Sequence, residues 1–388
     1  MAIIVAMALL LCSCGARSYV DISPHIERGI ARDPGGGLTA SNYAELKNAI
    51  IYLVEQSSEQ GTISLVGYSG QVEEDLGRAC SEVTDDEPIG AYGVEYMSYS
   101  RTKVLANYEV TISINYSRTP EELAAVERVG GPVEYRDAVL GALMDPRETL
   151  TVETPYYSAD RFDSQSTVQE IMHSNPLLSV CSPVVSESLY PSEGLSRIIE
   201  LKIDYGMSSD ELASRREDLE RAARELTLEG DSGEETDDAE TVRRLVRNLC
   251  KCSDFLPERE DDLSGEVTRD ETFTAYGALV EGRATSEGYA LALSALCSLG
   301  AVDCRIISGR WDGILHYWNL VRVDGDWYHV DAALCERYGE DAYLLKTDEE
   351  IGDALKWNTA SYPAADGEPI TFAAEEIPVF EPTDAENS

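Results

Sequence analysis

Apolar residues alternate with polar ones at two places in the front half of the chain, at Val110, Ile112 and Ile114 and again at Ile199, Leu201 and Ile203. A period of two marks a strand with one buried face. Upstream of each run, apolar residues recur at helical spacing and predict helices at Tyr43–Gln56 and Tyr135–Met144. A short strand follows each helix (Thr62–Tyr68 and Glu148–Thr154), then a second, polar helix. One ungapped offset of 89 residues brings the two stretches into register: Glu45 meets Glu134, Ala49 meets Ala138, Tyr68-Ser69 meets Tyr157-Ser158, and Glu122-Leu123-Ala124 meets Glu211-Leu212-Ala213. The reading is an internal repeat: two tandem α-β-α-β-β modules, residues 41–129 and 130–213.

The back half is patterned differently. Helices are expected at Ser209–Leu226 and Ala239–Cys250, with the acidic stretch Glu229–Asp238 as a solvated loop between them. Glu287–Leu299 is an apolar-rich helix opened by Thr285-Ser286 and ended by Gly300. Val302–Ser308 reads as a strand, and His316–Val323 as another. Asp324-Gly325 is a tight-hairpin signal, and Asp326–Asp331 is the partner strand. Such a hairpin sets His316 and Asp331 at similar distances from the turn on adjacent strands, within reach of one another.

The order and spacing of three segments resembles the core of the transglutaminase-like family. They are Gly282-Arg283-Ala284-Thr285-Ser286-Glu287-Gly288-Tyr289-Ala290, His316-Tyr317-Trp318-Asn319 and Trp327-Tyr328-His329-Val330-Asp331. The lead-in Tyr276-Gly277-Ala278-Leu279 and an expected strand at Tyr343–Asp348 extend the likeness. The resemblance implies an α+β chain whose C-terminal domain, residues 214–365, has a papain-like fold. It also implies a Cys–His–Asp type of site. There the nucleophile is poised at a helix N-terminus, the imidazole moves the proton, and the carboxylate orients the imidazole. The matching positions are Ser286, His316 and Asp331, so serine stands where the family has its cysteine. A hydroxyl ionises far less readily than a thiol, and the expectation is an impaired site. A Ser–His–Asp hydrolase or acyltransferase is the alternative, and a helix-capping role for Ser286 or Thr285 is the structural one.

Composition narrows the partners. The chain has 388 residues, a hydrophobic fraction of 43% and a net charge of −41. That field repels phosphate backbones, which argues against nucleic-acid binding, and it disfavours direct adsorption to anionic membranes. The N-terminal run Met1–Leu11 is too short to span a bilayer, which needs about 20 apolar residues, but it suits a secretory signal. Leu11-Cys12-Ser13-Cys14 resembles a bacterial lipobox, with residues 1–13 removed and Cys14 lipidated, although no Lys or Arg precedes the run. Residues 14–40 then read as a tether and 366–388 as an acidic tail. The expected location is the outer face of the cell membrane, held only by the lipid, or secreted if Cys14 is not lipidated.

The remaining chemistry-bearing residues receive blander readings. Cys297 and Cys304 lie in apolar surroundings and read as buried hydrophobes. Cys297 sits about 16 Å along the helix from Ser286 and cannot replace it. Cys250-Lys251-Cys252 lacks a second ligand pair for zinc, and no motif implies a cofactor. His25 and His173 are isolated, His173 being read as a surface residue, and His329 receives no role. The functional expectation is a surface lipoprotein that binds a peptide or protein, such as cell-wall peptide, without efficient cleavage. The remaining alternative is an adhesion or structural protein acting through the repeats.

Overall fold

The structure, a computed structural model, describes residues 29–231, 237–258 and 270–372. Cys14, the expected signal, His25, most of the expected tether and the tail beyond residue 372 lie outside the described residues. The chain divides into two compact units. Among the described residues, the first takes those up to Pro132 with Glu153–Tyr157 and Tyr190–Ile198, and the second takes Val133–Val152, Ser158–Leu189 and those from Ile199 onward. No helix among the described residues is long and apolar enough to cross a membrane.

The front half opens with β1 (Leu38–Ala40), α1 (Tyr43–Glu55), β2 (Gln60–Leu65), α2 (Val72–Asp85), α3 (Pro88–Gly93), β3 (Val94–Val104) and β4 (Asn107–Tyr116). The sheet order is β1-β2-β4-β3, with β1 parallel to β2 and the other pairs antiparallel. Asn42 caps α1 by accepting the Glu45 N–H at 3.0 Å. The apolar stripe Leu46, Ala49, Ile50, Leu53 and Val54 packs on Ile63, Val110 and Ile112 of the sheet. Strand β1 is an addition to the expected unit. Its three residues are too few to show alternation, and they fall in what the sequence reading took as tether.

The second run comprises α4 (Pro120–Ala124), β5 (Glu127–Arg128), α5 (Pro132–Met144), β6 (Thr149–Thr154), α6 (Ser164–Ser174), β7 (Val184–Tyr190) and β8 (Arg197–Asp204). Its sheet order is β5-β6-β8-β7.

The C-terminal region begins with α7 (Ser209–Leu228) and α8 (Asp238–Cys252), capped by Ser208 and Asp237. Then come β9 (Asp254–Phe255), α9 (Ala275–Leu279), β10 (Arg283–Ala284) and α10 (Ser286–Leu299). The antiparallel sheet follows: β11 (Cys304–Trp311), β12 (Ile314–Val323) and β13 (Asp326–Val330), then α11 (Ala332–Tyr338), α12 (Asp348–Ile351) and β14 (Leu355–Trp357). The order is β13-β12-β11-β14. The β12–β13 turn is where the sequence reading put it, with positive φ at Asp324 (51°) and Gly325 (100°).

Every residue of α10 from Ser286 to Cys297 is buried, because α7, α8, α9, α11 and the sheet all pack around it. That accounts for its nearly continuous apolar sequence. Gly288 is required by this packing: a Cβ there would meet Thr272 O at 2.6 Å, the Ala284 Cβ at 2.7 Å and Thr274 O at 2.9 Å. The strand expected at Tyr343–Asp348 is reduced to one bridge between His329 and Lys346. Leu345 adopts a left-handed conformation (φ 50°), which breaks an extended run.

Candidate active site

Ser286 is the first residue of α10, and Thr285 is its N-cap. Thr285 spends its hydroxyl on Thr272 O at 3.3 Å rather than on the helix end. Ser286 therefore does not serve as the cap. Its hydroxyl donates to Glu258 Oε1, and its own N–H donates to the same oxygen at 2.7 Å. The Tyr317 N–H donates to Ser286 Oγ at 3.0 Å, tying the helix mouth to strand β12. Asn319 ties them again one turn deeper, donating to Ala290 O at 2.9 Å.

His316 and Asp331 meet directly, His316 Nε2 lying 2.7 Å from Asp331 Oδ2. Asp331 is also the N-cap of α11, its Oδ1 accepting the Leu334 N–H at 2.9 Å. One carboxylate thus orients the imidazole and holds a helix end. Both side chains are almost entirely buried. Burial by itself would lower the His316 pKa, but the charge and hydrogen bond of Asp331, with the charge of Glu258, outweigh it and raise the value. With Nε2 facing Asp331, the other nitrogen Nδ1 points toward the helix mouth. It has no hydrogen-bond partner and stands 3.9 Å from Glu258 Oε2.

The three residues expected from the sequence are therefore gathered at one place, but Ser286 and His316 do not bond to each other. Glu258 stands between them, and the sequence reading missed it. The two-residue strands β9 and β10 explain its position. They pair in parallel, with Leu256 N–H on Ala284 O at 2.8 Å, so the chain leaving β9 reaches Glu258 beside the chain entering α10. Pairs this short carry no alternation that a sequence could reveal. Burial pushes the Glu258 carboxyl up, and the Ser286 hydrogen bond and the His316 charge oppose that only in part.

His173 is not the bare surface residue that the sequence suggested. From helix α6 it reaches Glu287 Oε1 at 3.1 Å and packs edge-on against Tyr317 with ring centres 5.7 Å apart. Gln169, one turn earlier, donates to the Tyr317 hydroxyl at 3.2 Å. The two residues flanking the candidate nucleophile and base, Glu287 and Tyr317, are thus braced by helix α6. Only tertiary packing brings residues more than a hundred positions apart into one cluster.

A second buried histidine lies behind the first. Trp318 Nε1 donates to His329 Nδ1 at 2.9 Å, so Nδ1 is an acceptor and the proton sits on Nε2, 2.7 Å from Asp348 Oδ1. Burial lowers the His329 pKa, with Asp348 opposing, so this ring is neutral. It supports the sheet under His316, the ring of Trp318 stacking on His316 with centres 6.2 Å apart. Among the cysteines, Cys297 is fully buried, and Cys304, half-buried, accepts a weak bond from Asn319 at 3.3 Å. No group of three or more metal-ligating side chains occurs among the described residues.

Residues 224–332 match the family described as the Transglutaminase-like superfamily, a span that contains Ser286, His316, Asp331 and Glu258. This region is a transglutaminase-like domain. Solved structures similar to the chain include a TGase (11% identity, TM-score 0.26, 58% of this chain and 65% of the other). A candidate cysteine protease from Cytophaga hutchinsonii gives 12% identity and a TM-score of 0.25 over 45% of this chain and 65% of the other. A candidate protease from Parabacteroides distasonis gives 10% identity and a TM-score of 0.23 over 57% and 45%. The match spans less than two thirds of each of these structures. No curated protein matches the chain.

Proposed function

We propose that this chain is a surface-anchored lipoprotein whose transglutaminase-like domain binds a peptide, cell-wall peptide being one candidate, and is impaired as a catalyst. The observation that carries the reading is the state of the Ser286 hydroxyl. Its proton is directed to Glu258, one of its lone pairs receives the Tyr317 N–H, and the imidazole that would have to take the proton is not bonded to it. A serine has no thiolate form to compensate, since its hydroxyl ionises only when a base removes the proton in step with attack. Meanwhile the orienting half of the machinery is retained, with His316 held by Asp331 and Trp318. Retained scaffolding with a weakened nucleophile suits recognition more than turnover.

The same reading takes the front half as a duplicated α+β module that presents this domain. The two sheets share one strand order, β1-β2-β4-β3 and β5-β6-β8-β7, which supports a duplication. The lipobox-like Cys14 supports the anchor.

Replacing Ser286 with Cys tests the site. A thiol beside His316 should produce thiol-dependent peptidase or acyl-transfer activity at least about tenfold above the wild type. A folded Ser286→Cys protein with no gain on any peptide would contradict a retained geometry. A second reading, a working serine hydrolase, rests on the intact His316–Asp331 pair. It requires fluorophosphonate labelling of Ser286 that disappears in His316→Ala.

A further inference from the structure

The features around Ser286 all favour one kind of occupant. The Ser286 N–H is the first of a 14-residue helix, where the macrodipole concentrates partial positive charge. The Ser286 hydroxyl donates to the same carboxylate oxygen. The Nδ1 of His316, on an almost entirely buried side chain, faces the other oxygen and has no hydrogen-bond partner. Glu258 occupies this point from within the chain, and its side chain is itself only 8% exposed.

Serine at position 286 changes what such a pocket can hold. A thiolate would bring its own negative charge and pair with the imidazolium, so a second anion would be repelled. A hydroxyl remains neutral and donates, leaving the helix end and the imidazole to be satisfied by an anion from elsewhere. We propose that the Ser286–His316 pocket is a carboxylate receptor, filled in cis by Glu258 and open to the carboxylate of a ligand when Glu258 withdraws. This rests on the reading of the site as a peptide-binding one and names the feature bound: an acidic side chain or a free C-terminus. Such a group reproduces the contacts of Glu258, one oxygen on the Ser286 N–H and hydroxyl and the other toward His316. An amide of the same shape turns an NH₂ group toward one of these positions and loses the charge.

The test uses acetate as the probe and acetamide as its neutral isostere, with the His316 ring resonances as the readout. In Glu258→Ala, acetate should bind saturably and at least about tenfold more tightly than acetamide. The wild type should bind acetate measurably more weakly than Glu258→Ala, because the tethered carboxylate of Glu258 competes for the same contacts. Acetamide binding as well as acetate, or equal acetate affinity in the two proteins, overturns the proposal. If Glu258→Ala does not fold, Glu258→Gln keeps the acceptor and should give an intermediate acetate affinity. An affinity equal to the wild type there is equally fatal. Ac-Ala-Glu-NH₂ and Ac-Ala-Ala-OH then separate the side-chain from the terminal carboxylate. Because the readout needs neither catalysis nor peptide capture, acetate binding without peptide binding would sink the peptide reading alone. Peptide binding without a carboxylate preference would sink only the receptor.

Discussion

Asp331 is the residue on which the most structure converges, and removing it gives a quantitative prediction. In Asp331→Ala the His316 pair and the α11 cap disappear together. Breaking a buried pair costs about 3–5 kcal/mol, and losing an N-cap costs about 1 kcal/mol more. Asp331→Asn keeps a side-chain oxygen for the Leu334 N–H and turns its NH₂ toward His316, whose ring can respond by moving its proton to Nδ1. The order of stability should be wild type, then Asn, then Ala, with the two variants separated by about 1–2 kcal/mol. All four tryptophans, at 311, 318, 327 and 357, lie on the C-terminal sheet, so their fluorescence in urea reports this region selectively.

The pH dependence has a definite sign. The His316 pKa is raised in the folded protein, so its contribution is fully present below the unfolded value of about 6.5 and is lost as pH rises through the folded value. In the variants burial acts without Asp331, and protonating His316 becomes costly instead. The gap between wild type and Asp331→Asn should therefore be largest near pH 5 to 6 and shrink toward pH 9. A gap that is flat or grows with pH, or two variants of equal stability, would refute this account of Asp331.

Other outcomes follow from the same geometry. Gly288→Ala gains about 1 kcal/mol of helix propensity but forces its methyl against two backbone carbonyls and Ala284, so a net loss of about 1–3 kcal/mol is expected in urea unfolding. Trp318→Phe leaves the His329 Nδ1 acceptor without its donor in the core, at a cost of about 1–3 kcal/mol, and an unchanged midpoint would contradict the assigned tautomer. In the wild type, NMR should find His329 titrating below the usual histidine range and His316 above it.

Much of the C-terminal domain was legible in the sequence because its signals are local. The Asp324-Gly325 turn, the apolar run of α10 and the alternation in β12 each specify an element from a few neighbouring residues, and the hairpin then brings His316 and Asp331 together. Gly288 is likewise visible as a residue, although only packing shows why no larger one fits. What tertiary structure alone decided is who stands against Ser286 and against the residues beside the site. Glu258 reaches Ser286 through a two-residue parallel pairing, and His173 and Gln169 reach Glu287 from a helix more than a hundred residues earlier. Such neighbours leave no periodicity in the chain, because side-chain pattern records which face of an element is buried and not what lies against it.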